Sequence, residues 1–209
     1  MENLGLAHMP LTLSARPVFR TEENAMPASP TVPPTAPPTD PSSPTKIYRV
    51  MDSQAEALEA IDQVIAHAQL ELMIFDQSPK TLRERGYGRP KNVDVMRQFL
   101  LGSKNSRARH IRISLQDTQG IETELPRLMT LLDQHADLLT IRRAEGDARS
   151  VQDVLLIADK DAVWRKPVAS HPRSIVVIHD ANDVKPYLDR FAEIWQLSGN
   201  TVSARSTGL

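Results

Sequence analysis

A hairpin signal occupies residues 151–164, which read VQDVLLIADKDAVW. The apolar run at 154–158 has the length of one buried strand, and the run at 162–164 begins a second. The Asp-Lys-Asp segment at 159–161 is a short polar turn of the kind that reverses the chain between antiparallel strands. The stretch therefore predicts a β-hairpin.

Strand and helix signals alternate on both sides of this hairpin. Apolar runs predict strands at residues 46–50, 70–75, 111–115, 138–141 and 175–178. Apolar stripes with helical spacing predict helices at residues 52–68, 92–100, 121–132 and 182–199. Basic residues, Gly and Pro at 80–91 predict a loop. This order predicts an α/β fold with a mixed, mostly parallel sheet and helices on both faces.

The prolines divide the chain into tails and a folded part. Ten of the 16 prolines fall within residues 1–45, and residues 21–45 carry almost no apolar side chain that could be buried. Such a composition does not offset the conformational entropy lost on ordering. We therefore predict a disordered Pro-rich tail or linker at 1–45, an α/β domain at 46–199, and a disordered C-terminal tail at 200–209.

Charge and cysteine content exclude several classes of protein. The chain has 25 Lys plus Arg against 26 Asp plus Glu, and this balance argues against a protein held on nucleic acid or a membrane by bulk charge. The absence of Cys excludes disulfides, iron–sulfur clusters and cysteine nucleophiles. The longest apolar runs are too short to span a bilayer, and residues 1–20 lack the pattern of a secretory signal. We expect a cytoplasmic protein without a membrane partner.

The spacing of the histidines does not predict a metal site. The six His stand at positions 8, 67, 110, 135, 171 and 179, without the short spacings of common zinc motifs. His67 and His135, near the ends of predicted helices, are typical of surface residues or of residues that compensate a helix dipole. His179-Asp180 is a possible ligand pair, although a polar pair that ends a strand is the favoured interpretation. No metal and no cofactor are predicted.

The order of the elements and the hairpin resemble one half of the phospholipase D superfamily. In that superfamily two such halves, from one chain or two, face each other around a phosphodiesterase site with a His-x-Lys-x-x-x-x-Asp motif. The motif's histidine is the nucleophile and its lysine holds phosphate. When Asp159 is placed on the motif's aspartate, Gln152 stands at the histidine position and Val154 at the lysine position. The resemblance therefore implies the fold without phosphodiesterase activity.

Short pieces of residues 52–198 are also similar to a small uncharacterised proteobacterial family of degenerate phospholipase-D-like domains. These pieces are Phe75-Asp76, Asp117, Pro126-Arg127-Leu128, Gln152-Asp153, Ile157-Ala158-Asp159, His171-Pro172-Arg173, and residues 191–195. The resemblance implies a non-catalytic binding or scaffolding module that acts through protein–protein interaction. Because one half of a paired fold leaves a face open, it also implies a homodimer or a protein partner.

Aspartates at strand ends mark a candidate ligand cleft. Asp76, Asp117 and Asp159 each follow an apolar strand, and the carboxyl ends of parallel strands meet at one edge, where ligands usually bind. Asp153 lies inside the predicted hairpin, where an unpaired charge is costly. Its candidate partners are Arg165, His171 and Arg173. A structural ion-pair network is the favoured interpretation, and a remnant ligand cleft is the alternative.

Two further functions remain open. His171 and Arg173 would share a face at the start of a strand, so a displaced phosphodiesterase or nuclease site is possible there. Arg83, Arg85 and Arg89 form a candidate patch for the phosphates of a nucleic acid. However, residues 46–209 hold 23 Lys plus Arg against 22 Asp plus Glu, which favours a solvated, salt-bridged face over a nucleic-acid interface.

Overall fold

One eight-stranded sheet organises the computed structural model, which describes residues 44–102 and 109–203. Its strands are β1 (Ile47–Met51), β2 (Glu71–Asp76), β3 (His110–Leu115), β4 (Leu139–Ala144), β5 (Val154–Ala158), β6 (Ala162–Lys166), β7 (Ser174–Ile178) and β8 (Ser198–Thr201). Their order across the sheet is β1-β7-β6-β5-β2-β3-β4-β8. The sheet is mixed and the hairpin β5–β6 is present, which confirms both predictions.

Most strand pairs in the described residues are antiparallel. The pairs β2–β3 and β3–β4 are parallel, and the other five are antiparallel. The prediction of a mostly parallel sheet is wrong. The strand β5 runs antiparallel to β2, and short connections make β6 antiparallel to β5 and β7 antiparallel to β6. Consequently β2, β3 and β4 end at one edge of the sheet, whereas β5 ends at the opposite edge.

Helices cover both faces of the sheet, as predicted. They are α1 (Gln54–His67), α2 (Pro79–Glu84), α3 (Pro90–Leu101), α4 (Ile121–Glu124), α5 (Pro126–Gln134) and α6 (Ala181–Gln196). The larger apolar core joins α1, α3 and α5 to the first face. On the second face, Phe191 and Ile194 of α6 pack in a core with Phe75 and Leu155. Within the described residues, no helix is both long and apolar enough to cross a membrane.

The helix α2 occupies part of the segment that the sequence predicts as a loop. Ser78 and Thr81 form a reciprocal capping box at its start: each side chain accepts a hydrogen bond from the other residue's backbone N–H. Leu82 is then buried beneath the helix. The predicted loop at 80–91 is therefore shorter, and it begins after Glu84.

Prolines start two of the helices. Pro90 stands at the first position of α3, two residues before the predicted start of this helix at Asn92. Asn92 is instead buried, and its amide donates hydrogen bonds to Asp62 Oδ1 at 2.8 Å and to the Gly86 carbonyl at 3.0 Å. The predicted single helix at 121–132 is divided at Pro126, because proline has no backbone N–H to donate to the preceding turn.

The strand β8 has no counterpart in the sequence prediction. Its residues, SGNT, carry no β-propensity signal and pair with β4 through the backbone. A Cβ at Gly199 would lie 2.5 Å from Glu145 Oε1, so a larger residue there would displace the Glu145 carboxylate. The strand reaches Thr201, two residues past the predicted end of the domain, while residues 1–43 and 204–209 of the predicted tails lie outside the described residues.

Candidate ligand-binding cleft

A cleft of about 330 Å³ lies at the edge of the sheet where β2 ends. It is enclosed by α1, α2, β6 and the segment that leads into β7. Its apolar wall comes from α1, and its polar lining comes from Gln77, Thr81, Glu84, Arg85, Trp164, Lys166 and Ser174. We call this space the cleft.

A buried ion pair fixes one side of the cleft. Asp76 ends β2 with no exposed surface, and Arg85 Nη1 donates to both of its carboxylate oxygens at 2.6 Å. The Thr81 hydroxyl and the Gln77 backbone N–H donate to Asp76 Oδ1 at 2.8 and 2.7 Å. Burial raises the pKa of Asp76, and the adjacent Arg85 charge opposes that rise. Asp76 therefore positions Arg85 and does not itself line the cleft.

Arg85 presents a positive charge to the cleft. Its Nη1 is held by Asp76, and its other N–H groups have no acceptor among the described residues. Glu84 is the acidic residue among the described residues that line the cleft, and its Oε1 lies 4.0 Å from Nζ of the exposed Lys80. Arg85 thus retains free hydrogen-bond donors in a fixed position.

Lys166 supplies a second cation. It lies at the end of β6 on the same face as Trp164, because side chains alternate along a strand. Partial burial and the nearby Arg85 charge lower the pKa of Lys166. Its ammonium has no hydrogen bond or ion pair within the part of the chain that the structure describes. The nearby Asp76 charge opposes this lowering, but its carboxylate is held by Arg85 and does not line the cleft, so two cations face the cleft.

Two buried hydrogen-bond donors border the same space. Trp164 Nε1 and Ser174 Oγ are inaccessible to water and have no partner among the described residues. An unsatisfied buried polar group costs about 1–3 kcal/mol. Two N–H or O–H groups in the walls of the cleft therefore lack a partner beside the two cations, which suits a ligand that brings anionic oxygens.

The motif positions of the phospholipase D superfamily do not contribute to the cleft. Val154, at the lysine position, is fully buried in the apolar core. Gln152, at the histidine position, is exposed, and its side chain donates to the Ser150 carbonyl at 3.3 Å. No histidine occurs among the described residues that line the cleft.

The predicted group of strand-end aspartates is divided between two edges of the sheet. Asp117 lies near Asp76, since its N–H donates to the Gln77 carbonyl at 2.9 Å, and its exposed carboxylate accepts from the Gln119 N–H. Asp159 lies at the opposite edge because β5 is antiparallel to β2. The expectation that all three aspartates gather at one edge is therefore wrong.

Asp159 instead closes the opposite end of β2. Its carboxylate accepts hydrogen bonds from the backbone N–H groups of Gln69, Leu70 and Glu71 at 2.7–2.9 Å. Its φ of 54° is left-handed, a conformation that aspartate tolerates better than most residues. Asp159 therefore has a structural role in joining the hairpin turn to the start of β2.

The partners predicted for Asp153 have other contacts. Asp153 precedes β5, is partly exposed, and forms no ion pair within the described residues. Arg165 lies on the second face of the sheet, where its Nη1 donates to the Tyr187 hydroxyl at 2.6 Å. Arg173 pairs with Asp52 at 3.0 Å, and its backbone N–H donates to His171 Nδ1 at 3.3 Å. The predicted Asp153 ion pair is absent from this region.

The three arginines of the predicted phosphate patch have different surroundings. Arg83 is exposed and pairs with Glu124 at 2.9 Å, whereas Arg85 is largely buried against Asp76. Arg89 is exposed at the cap of α3, where its side chain covers Gly86. Of the three, Arg85 lines the cleft.

Sequence reasoning missed Lys166 and Trp164. Their spacing of two residues shows that they share a face of the strand, and this signal is present in the sequence. The enclosure of Lys166 depends on α2, which the sequence predicts as loop. Without that helix, the sequence predicts only an ordinary exposed lysine at position 166, after a strand.

The family model described as Domain of unknown function (DUF7931) matches residues 53–206. The chain belongs to this family. No curated protein matches the chain. The matched region includes every element that borders the cleft.

Solved structures show the fold. Nuc from Salmonella typhimurium, a phospholipase D family member, is similar with a TM-score of 0.50 at 10% identity, over 76% of this chain and 99% of Nuc. NucT from Helicobacter pylori has a TM-score of 0.49 at 9% identity, over 74% of this chain and 98% of NucT. TrmBL2, an archaeal chromatin protein whose structure shows a novel mode of DNA binding, has a TM-score of 0.46 at 19% identity. That match covers 72% of this chain, which spans about half (52%) of TrmBL2. The likeness to Nuc shows a phospholipase-D-like fold.

Replacing Arg85 by Ala leaves the Asp76 carboxylate buried without its counter-charge, so we expect a loss of about 3–5 kcal/mol in the free energy of unfolding. Arg83→Ala, in the same helix, removes an exposed ion pair and should cost about 1 kcal/mol or less. Urea unfolding of both variants measures the difference. Equal small losses in the two variants would contradict the structural role of the Asp76–Arg85 pair.

Proposed function

We propose that this chain is a non-catalytic phospholipase-D-like binding module whose cleft holds an anionic group, such as a phosphate or carboxylate. The observation that carries the proposal is the convergence of Arg85 and Lys166 on one partly enclosed cleft, where the buried Asp76 pairs with Arg85 and Lys166 forms no ion pair among the described residues. A scaffolding role toward a protein partner and a cytoplasmic location are the wider setting that the sequence predicts.

The electrostatics of the cleft favour an anion. Burial is the main cause of the lowered pKa of Lys166, repulsion by Arg85 lowers it further, and the Asp76 charge opposes both effects. A bound anion contacts both cations and forms charge-assisted hydrogen bonds with them, which are stronger than hydrogen bonds between neutral groups. The unsatisfied donors of Trp164 and Ser174 add to the same preference. Binding therefore relieves a repulsion that the free protein holds.

The proposal of a non-catalytic site rests on the missing nucleophile. Phosphodiester cleavage through a covalent intermediate needs an activated nucleophile beside the phosphate. Gln152 and Val154 stand at the two catalytic motif positions, and neither side chain lines the cleft, although their backbones contact the lining residues Ala169 and Lys166. His171, the histidine of the rival phosphodiesterase reading, is exposed on the loop before β7 and contacts the Arg173 backbone. The cleft holds binding groups without the histidine chemistry of the superfamily.

Sulfate tests the binding function, because it is an anion that does not titrate near neutral pH. We expect saturable sulfate binding to the full chain by isothermal titration calorimetry. Lys166→Met should weaken it by about 10-fold or more, since a hydrogen bond to a charged group contributes about 1.5–3 kcal/mol. Lys160→Met, which removes an exposed lysine from the opposite edge of the sheet, should leave the affinity unchanged.

Proton uptake provides a second readout of the same binding event. The pKa of Lys166 is lowered in the free protein, and a bound anion raises it by favouring the ammonium form. Sulfate binding at alkaline pH should therefore take up a proton. Titrations in buffers with different ionisation enthalpies measure this uptake, because the observed heat of binding then changes with the buffer. Equal sulfate affinities in wild type, Lys166→Met and Lys160→Met would overturn the proposed anion site.

The absence of catalysis is tested with an activated nitrophenyl phosphodiester. We expect the full chain to release no nitrophenolate above the buffer rate, because no nucleophilic histidine faces the cleft. His171→Ala should make no difference to the release. Hydrolysis by the wild type that disappears in His171→Ala would replace the present proposal with the displaced phosphodiesterase site.

The resemblance to a superfamily in which two halves pack together implies that this chain forms a homodimer. Val168 is an exposed apolar residue (44%) next to Ala169, which lines the cleft, and we propose that a second copy packs against this face. Light scattering of the full chain should return twice the monomer mass, and Val168→Asp should shift the mass toward the monomer. Leu197→Asp, at an exposed apolar position after α6, is the matched control. A monomer mass for the wild type at all concentrations would rule the dimer out.

A further inference from the structure

Two histidines and an aspartate meet at the edge of the sheet opposite the cleft. His67 is the last residue of α1, Asp161 lies in the β5–β6 turn, and His179 follows β7. His67 Nε2 lies 3.0 Å from Asp161 Oδ1, and His179 Nδ1 lies 3.5 Å from Asp161 Oδ2. One ligand atom from each of the three residues falls within 4.8 Å of the others. We call these three residues the His-Asp-His cluster.

These separations match those of ligands around one metal ion. Zinc binds histidine nitrogen and carboxylate oxygen at about 2.0–2.2 Å, so two tetrahedral ligands lie about 3.3–3.6 Å apart. The observed distances, 3.0 Å to Asp161 Oδ1 and 3.5 Å to Asp161 Oδ2, are close to that range, and one ligand atom from each residue lies within 4.8 Å of the other two. Neutral imidazole and carboxylate form a donor set that zinc and other divalent transition metals accept.

The backbone holds the three residues together without a metal. The Asp180 N–H donates to the Asp161 carbonyl at 3.1 Å and ties the end of β7 to the hairpin turn. His179 has a φ of 63°, a left-handed conformation that is uncommon for a residue with a side chain. The rings of His67 and His179 pack edge to face with centroids 4.9 Å apart. The ligand set is therefore positioned by the fold, which lowers the entropy lost when an ion binds.

The cluster is open enough for an ion to enter. The side chains of His67, Asp161 and His179 are 17%, 36% and 28% exposed. They border a cavity of about 560 Å³ that Lys160 and Glu71 also line. Three protein ligands would leave a fourth coordination position for water or another ligand.

We propose that His67, Asp161 and His179 form a binding site for a divalent transition metal ion, with Zn²⁺ as the ion that best suits the donor set. The spacing in the sequence conceals the site, because His67 and Asp161 are 94 residues apart. The site lies at the other edge of the sheet from Arg85 and Lys166, so it is independent of the proposed anion cleft.

Metal binding is tested on the full chain after treatment with a chelator. Calorimetric titration with ZnCl₂ should show one ion per chain, and CoCl₂ should give visible absorption bands of a cobalt centre with nitrogen and oxygen ligands. Asp161→Asn keeps the shape of the side chain and a hydrogen-bond acceptor for His67, while it removes the anionic ligand. His179→Gly removes a ligand at a left-handed position that glycine adopts without strain.

We expect each of these variants to weaken Zn²⁺ binding by more than about 10-fold. Loss of a residue that only hydrogen-bonds to a metal ligand already costs about 10-fold or more, and these variants remove a ligand itself. His135→Ala, a histidine at the end of α5, should bind as the wild type does. Circular dichroism confirms that each variant retains its fold. Absence of saturable binding in the wild type, or the same affinity in the cluster variants and His135→Ala, would show a hydrogen-bonded His-Asp network without a metal and overturn the proposal.

Discussion

The buried Asp76–Arg85 ion pair is the constraint on which this edge of the protein depends. A carboxylate without exposed surface must be compensated, and Arg85 Nη1 contacts both of its oxygens at 2.6 Å. Arg85 belongs to the turn that ends α2, so the pair holds this helix over the end of β2. That placement encloses Lys166 and gives the cleft its wall. The ion pair thus determines both the position of α2 and the charge that faces a ligand.

Different aspartates close the two ends of β2 in different ways. Asp76 at the carboxyl end uses a side-chain cation, whereas Asp159 at the amino end accepts from three backbone N–H groups. The first arrangement leaves N–H donors of Arg85 free, whereas the Asp159 carboxylate holds the backbone at the start of β2. The proposed anion site and the proposed metal site lie at opposite edges of the sheet.

The sequence predicts the elements of this fold better than their directions. Apolar runs predict seven of the strands, because buried strands need apolar side chains. The strand β8 is not predicted, because it pairs through its backbone and its side chains give no such pattern. The direction of β5 depends on which strand lies beside it, and no local pattern records that choice. The predicted cluster of Asp76, Asp117 and Asp159 failed for this reason. Lys166 and the His-Asp-His cluster depend on contacts between distant segments, so spacing alone does not reveal them.

The proposed anion site brings a ligand next to Trp164, which lines the cleft with Arg85 and Lys166. The most direct test is the indole N–H signal of Trp164 in a nitrogen–proton correlation spectrum during a sulfate titration. The chain has two tryptophans, and Trp195 stacks on Phe191 on the other side of the sheet, so it serves as an internal reference. We predict a saturable shift of the Trp164 signal while the Trp195 signal stays in place. An unmoved Trp164 signal, or equal unsaturated drift of both signals, would contradict anion binding in the cleft.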